Sequence, residues 1–140
     1  MMNNMIEKIK NTLAALLSVL ALLFSFGNEK IPMKISVEDT AEQIIHVEWT
    51  NLTGTVVYSA PRYSLEKQTN DIWEKVAFAD DFGFVEIIAV VYPLQGGSFT
   101  IKSEEAFGEE LSAGTYRFCF EYNSAIGGMQ VAMREFEIVS

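Results

Sequence analysis

From Ile31 to the C-terminus, apolar side chains recur at every second position in short runs, and turn-forming residues break those runs at regular intervals. A period of two belongs to a β-strand with one buried face, and many such runs in succession exclude a helical bundle. The alternation predicts strands at Lys34–Glu38, Gln43–Thr50, Val56–Ser59, Arg62–Lys67, Trp73–Ala77, Val85–Tyr92, Gly97–Lys102, Thr115–Tyr122 and Gln130–Val139. Turn signals stand between them at Asn51–Gly54, Gln68–Asp71, Asp80-Asp81, Pro93–Gly97, Ala113-Gly114 and Gly127-Gly128. Gly96-Gly97 and Gly127-Gly128 read as hairpin-type turns. A single helical turn is expected at Ser103–Glu110, and no internal repeat or low-complexity linker interrupts the pattern. The expectation is an all-β sandwich or barrel over residues 34–140.

The same alternation assigns faces. Ile45, Val47 and Trp49 share one side of their strand, as do Tyr116, Phe118, Phe120 and Tyr122, with Arg117, Cys119 and Glu121 opposite. In the last strand Val131, Met133, Glu135 and Glu137 alternate with Ala132, Arg134, Phe136 and Ile138. That mixture predicts a bulge or a switch of face near Arg134. Val85–Tyr92 is apolar almost throughout, so it is expected either to be buried on both faces or to cover an interface. With 49% hydrophobic and 12% aromatic residues the chain can fill a core, which excludes global disorder. Trp49 and Trp73 are expected to be structural core fillers.

The N-terminus has a different character. Met1–Thr12 is polar and carries Lys8 and Lys10 beside a single acid, Glu7. Leu13–Phe26 is apolar apart from Ser18 and Ser25, and polarity returns at Gly27, Asn28, Glu29 and Lys30. This is the layout of a secretory signal peptide, whose apolar part runs ~7–15 residues, and it falls short of the ~20 that cross a bilayer. Ser25 and Gly27 supply the small side chains signal peptidase needs for a cut between Gly27 and Asn28. Residues 1–27 are therefore expected to be a signal peptide or an uncleaved N-terminal anchor. The domain is then secreted or held on the extracellular face of the membrane, touching it only through that segment.

At Leu111–Phe118 the sequence reads Leu-x-x-Gly-x-Tyr-Arg-Phe. This resembles the approach to the penultimate strand of immunoglobulin-like sandwiches, where a Tyr returns its hydroxyl to a nearby backbone group, the tyrosine corner. Tyr116 is the candidate. Tyr63–Lys67, Trp73–Val76, Ala106–Leu111 and Glu135–Ile138 follow in the order found in bacterial immunoglobulin-like domains of Gram-positive secreted proteins and lipoproteins. The resemblance spans about Ile35 to Val139. It implies an immunoglobulin-like antiparallel β-sandwich of about seven to nine strands, preceded by the signal or anchor helix. It also implies a structural or accessory role without known catalysis. The lipid-bearing cysteine of many such proteins is absent after the apolar run.

A search for reaction chemistry yields little. The only histidine is His46 and the only cysteine Cys119, so a nucleophilic triad, a zinc or copper centre and an internal disulfide all lack their parts. A Cys119–His46 pair would require adjacent strands. Calcium would need carboxylates from Asp80, Asp81, Glu104, Glu105, Glu109 or Glu110, without the alternating loop that usually supplies them. Asn51–Thr53 matches a glycosylation acceptor that a bacterial protein would seldom use. No catalytic residue, metal ligand or cofactor is expected. With a net charge of −9, nucleic acid is not an expected partner.

What remains is binding. Phe78, Phe82 and Phe84 crowd a connection around Asp80 and Asp81, and Phe107 sits in another, so these loops either plug the core or bind a partner. The expected role is a non-catalytic extracytoplasmic module that binds a protein or cell-envelope component through loops or an edge strand. The alternative is a secreted inhibitor or immunity-type protein that blocks a basic enzyme cleft. Acidic loops gathered at one end of the sandwich would favour that alternative.

Overall fold

The computed structural model describes residues 3–13 and 29–140. Residues 3–13 are helical (α1) and exposed. The apolar run of the predicted signal, and the Gly27–Asn28 junction, lie outside the described residues. Residues 1–30 and residues 31–140 form two separate units.

The second unit consists of β1 (Met33–Asp39), β2 (Gln43–Thr50), β3 (Val57–Ser59), β4 (Tyr63–Thr69), β5 (Ile72–Lys75), β6 (Ala89–Val91), β7 (Gly96–Lys102), α2 (Ser103–Phe107), β8 (Gly114–Ser124) and β9 (Gly128–Ile138). A three-stranded sheet has the order β1-β2-β7. The larger sheet is organised by β8, which pairs with β9 along its whole length on one side. Its other side takes β4 against Tyr116–Phe120 and β3 against Asn123 and Ser124. Beyond these, β5 pairs with β4 and β6 with β3. All pairings are antiparallel, and of the sandwich or barrel that the alternation predicts the two sheets make a sandwich, as the resemblance implies.

The core lies where the inner faces meet. Ile45, Val47 and Trp49 from β2 and Ile101 from β7 face Leu65 from β4 and Tyr116, Phe118, Phe120 and Tyr122 from β8, all buried. Rings bridge the sheets: Trp49 to Phe120, and Phe99 to Phe118 and Phe120, with centroids 5.1–5.2 Å apart. Such offset and tilted aromatic pairs add stabilisation beyond the apolar area they bury.

Four expectations change. The β8–β9 ladder keeps one register from Gly114↔Ile138 to Ser124↔Gly128, so there is no bulge near Arg134. Instead the outer face of β9 passes from Met129, Val131 and Met133 to Glu135 and Glu137, all exposed. Only Ala89–Val91 of the predicted Val85–Tyr92 strand pairs, and only Val91 is buried, so this segment is not a doubly buried strand. Gly96 and Gly97 open β7 and do not form a turn. Gly97 stands opposite Trp49, and a Cβ there would fall 2.5 Å from the indole. Trp73 is not in the core. It is half-buried on the outer face of the large sheet, with the Arg117 guanidinium 4.5 Å above its ring.

Candidate functional site

The predicted loop aromatics converge on Tyr63. Its ring meets Phe78 at 5.7 Å, Phe82 at 6.4 Å and Phe84 at 5.2 Å between centroids. Phe78 also stacks on Phe82 at 5.3 Å and on Phe107 at 5.4 Å. Phe107 is a buried core residue, and Phe78 and Phe82 pack against the core while remaining partly exposed. The aromatics thus form a cap along one side of the core, from Tyr63 opposite mid-β8 to Phe107 in α2, where the interior would otherwise meet water. Burial, then the charge of Glu105, pushes the Tyr63 hydroxyl up to about 12.

Carboxylates surround this cap. The Ala79 N–H donates to the Ala106 carbonyl at 2.8 Å, joining the Asp80-Asp81 turn to α2. Asp80, Asp81, Glu104, Glu105, Glu109 and Glu110 are all exposed. Glu104 and Glu105 occupy the first turn of α2, where the helix dipole favours them, and Gly108 ends the helix at φ 82°.

The end of the sandwich at α2 also holds the corner. Tyr116 donates its hydroxyl to the Ser112 carbonyl at 2.7 Å, and Lys67 reaches the Ser112 hydroxyl at 2.5 Å. The buried Gln43 side chain accepts from the Leu111 N–H at 2.8 Å and donates to the Leu111 carbonyl at 3.1 Å. The connection into β8 is thereby fixed to β2 by one amide and to β8 by one phenol. Sequence reading identified Tyr116 but missed Gln43, whose partner lies far along the chain.

On the outer face of the large sheet, Arg117 donates from Nε and Nη2 to the two oxygens of Glu66 at 3.1 and 3.0 Å. That fork holds the Glu66 carboxyl below its ordinary range. The buried Cys119 thiol points to Glu66 at 3.5 Å, and burial together with that carboxylate pushes it up to about 11. Beside it a shallow recess of about 280 Å³ opens between Arg62, Lys75, Phe84 and Glu121, where β5 has ended and β6 has not begun. His46 lies on the outer face of the other sheet, 3.1 Å from Glu38, so it cannot pair with Cys119. Among the described residues no group of three or more His, Cys, Asp or Glu side chains could hold a metal ion.

The opposite end of the sandwich has another chemistry. Asn51 is fully buried and donates from Nδ2 to the carbonyls of Thr55 and Val91 at 2.8 and 2.9 Å. Its Oδ1 accepts from the N–H and hydroxyl of Thr53 at 3.0 and 2.7 Å. Its backbone exchanges hydrogen bonds with Leu94 and Gln95. This amide is a structural node, inaccessible to a glycosylating enzyme. It fixes a tight turn through Pro93 in which Leu94 has φ 68° and is 70% exposed. The β8–β9 hairpin adds Ile126, 85% exposed, and Ala125 donates to Val56 at 3.2 Å, which places both loops at this end. From here the outer face continues into exposed Tyr58, Val90, Met129 and Val131, and into Val85, Ile87 and Ile88 leading to the β6 edge.

Two packed antiparallel sheets with a tyrosine corner at Tyr116 define an immunoglobulin-like sandwich. The sequence profile of a family described as a bacterial Ig-like domain matches residues 27–130, and the chain belongs to that family. No curated protein matches it. The crystal structure of a protein from Archaeoglobus fulgidus aligns over 80% of this chain and 96% of its own, at 15% identity and a TM-score of 0.37. Among the described residues no helix is long and apolar enough to cross a membrane.

Proposed function

We propose that this domain acts outside the cytoplasm as a non-catalytic module that binds another protein through the β6 edge and adjoining outer face of its large sheet. One observation carries the reading. The strand edge at β6 is short, and the segment feeding it exposes Val85, Ile87 and Ile88 by about two-thirds of their surface. Its one charge, Glu86, is held by Arg62 at 2.6 Å. Sheets normally blunt such edges with unpaired charge, proline or a covering segment, and a contiguous exposed apolar patch marks an interaction surface. Family membership supports a role without catalysis, and the N-terminal layout supports export.

A photo-reactive amino acid at position 88 of the full chain, in its own host, is expected to cross-link to one protein, while the same probe at Thr100 does not. Thr100 lies on the outer face of the other sheet. Equal products at both positions, or none at 88, would overturn the reading. Alkaline phosphatase fused after Ser140 should be active; an inactive fusion would defeat the location.

A second reading, inhibition of an enzyme with a basic cleft, is favoured by the gathering of Asp80, Asp81, Glu104 and Glu105 on two elements tied through Ala79 and Ala106. Replacing all four by their amides should abolish binding under this reading and leave the cross-link from position 88 intact under the first.

A further inference from the structure

The large sheet ends on one side in β9. Its eleven residues pair with β8 on one flank, and among the described residues no strand pairs with the other flank. An open edge invites a further strand, and proteins ordinarily guard it by shortness, proline, lysine or a bulge. Other edge strands of this domain are guarded in that way. β5 has four residues with Glu74 and Lys75 among them, β1 carries Lys34, Glu38 and Asp39, and β7 ends in Lys102. β9 has no proline, no lysine and no break in its ladder, and its first half, Gly128–Met133, carries no charge. Met129, Val131 and Met133 stand on its outer face, each more than half exposed.

The ladders fix which main-chain groups this edge presents. Val76 donates to the Leu65 carbonyl, so odd-numbered residues of β4 turn their N–H and C=O groups toward β5 and even-numbered ones toward β8. Ser64↔Cys119 and Glu66↔Arg117 are then the hydrogen-bonded pairs between β4 and β8. The alternate residues Tyr116, Phe118 and Phe120 bond to β9, at Phe136, Arg134 and Ala132. Met129, Val131, Met133, Glu135 and Glu137 are left with their main-chain groups on the open flank.

Charge selects the occupant and the alignment. Each chain carries −9, so two copies repel except where their surfaces are neutral. Laid antiparallel on itself about a two-fold axis at Val131, β9 sets Val131 against Val131 of the other copy and Met129 against Met133. All of these are positions whose main-chain groups face the open flank, so about six hydrogen bonds close across the axis. Glu135 lies beyond the overlap, ~27 Å from its counterpart at ~3.4 Å per residue, well past the screening length at physiological salt. An axis at Met133 would set Glu135 and Glu137 against Val131 and Met129, and one at Glu135 would oppose two carboxylates. An axis at an even-numbered residue would turn the main-chain groups away from each other. We infer that this chain forms a two-fold dimer through Gly128–Arg134 of β9, which joins two large sheets into one. Such a contact is complete after two copies. It lies on the opposite side of the large sheet from β6, and so adds a second surface to the partner binding proposed above.

The test uses the full chain in its own host, with Cys119→Ser and one new cysteine at a time, Val131→Cys or Glu137→Cys, treated with a short bis-maleimide. In the dimer the two residues 131 face each other at about 5.5 Å between Cα atoms, whereas the two residues 137 are ~40 Å apart. Val131→Cys should give a product of two chains joined at position 131, and Glu137→Cys should give several-fold less. Equal products at both positions, no two-chain product at 131, or a product joining 131 to a different protein would each overturn the inference. A second measurement is independent of thiol chemistry. Two differently tagged copies of the chain should co-purify, and Val131→Lys in both, which opposes two cations across the axis, should reduce recovery several-fold. Thr100→Lys, on the outer face of the other sheet, should leave it unchanged. Recovery that ignores Val131→Lys would also sink the dimer.

Discussion

The indole of Trp49 lies directly over Gly97, its cross-strand partner, in the space any larger side chain would occupy. Trp49 in turn reaches Phe120 across the sandwich, so the missing side chain at position 97 lets one sheet's largest ring contact the other sheet. Gly97→Ala places a methyl 2.5 Å from the ring, and the indole is wedged into a packed core with little room to retreat. The expected cost is about 1–3 kcal/mol of stability, as for overpacking elsewhere. Urea denaturation should show a lower midpoint with an unchanged slope; an unchanged midpoint would mean the indole has a second position.

Tyr116→Phe removes the donor to the Ser112 carbonyl and leaves the ring in place. A loss of about 1 kcal/mol is expected, typical of a hydrogen bond whose acceptor is then left poorly paired. Ser112→Ala should have a smaller effect, because the bond uses the backbone carbonyl and only the contact from Lys67 is lost. The ordering of these two variants is the measurement that checks the corner.

Asn51→Ala deletes four side-chain hydrogen bonds at a fully buried site. Two carbonyls and one N–H lose partners, so a loss of roughly 3 kcal/mol or more is expected. Because Asn51 also braces the turn at Leu94, amide exchange should accelerate first in residues 92–95. Uniform acceleration across all strands would show that the node supports only global stability.

Glu66 and Cys119 make opposite contributions along the pH axis. The Glu66 pKa is lowered by Arg117, so its stabilisation is complete above the ordinary carboxylate range and is lost as pH falls through and below it. Cys119 is raised to about 11, so the folded state holds the thiol protonated, and stability falls at alkaline pH as the unfolded thiol ionises first. Glu66→Gln should flatten the acid limb of a stability profile. Cys119 should react far more slowly with an alkylating reagent at pH 8 in the native protein than in urea. Equal rates would show an accessible thiolate.

The sequence carried the strands well wherever one face is oily and the other wet. Gln43–Thr50 is predicted and observed with the same ends, because Ile45, Val47 and Trp49 alternate cleanly with His46 and Glu48. Tyr116 was legible because its corner is local, four residues from its acceptor. Alternation failed at Val85–Tyr92, where apolar residues on successive positions have no period and cannot say whether water or protein lies beside them. It failed for Gly96 and Gly97 too, since their role is a vacancy shaped by Trp49, residues away in sequence. Asn51 resembled a turn or a sugar acceptor, and only the approach of Val91 makes it a buried node. Trp73 was assigned to the interior by its size, whereas stacking under Arg117 gives the ring a sheltered place outside.

The position of β8 has a consequence for synthesis. Emerging from the ribosome N-terminus first, the polypeptide releases β3, β4, β5 and β6 long before the strand to which β3 and β4 must pair. The sheet β1-β2-β7 and the pairs β4–β5 and β3–β6 have their strands earlier, but the apolar face of β8 that closes the core is still missing, and isolated strand pairs are marginal in water. The nascent molecule therefore stays unfolded until nearly all of residues 31–138 have been made, and threading through a narrow pore during that interval would meet no finished domain.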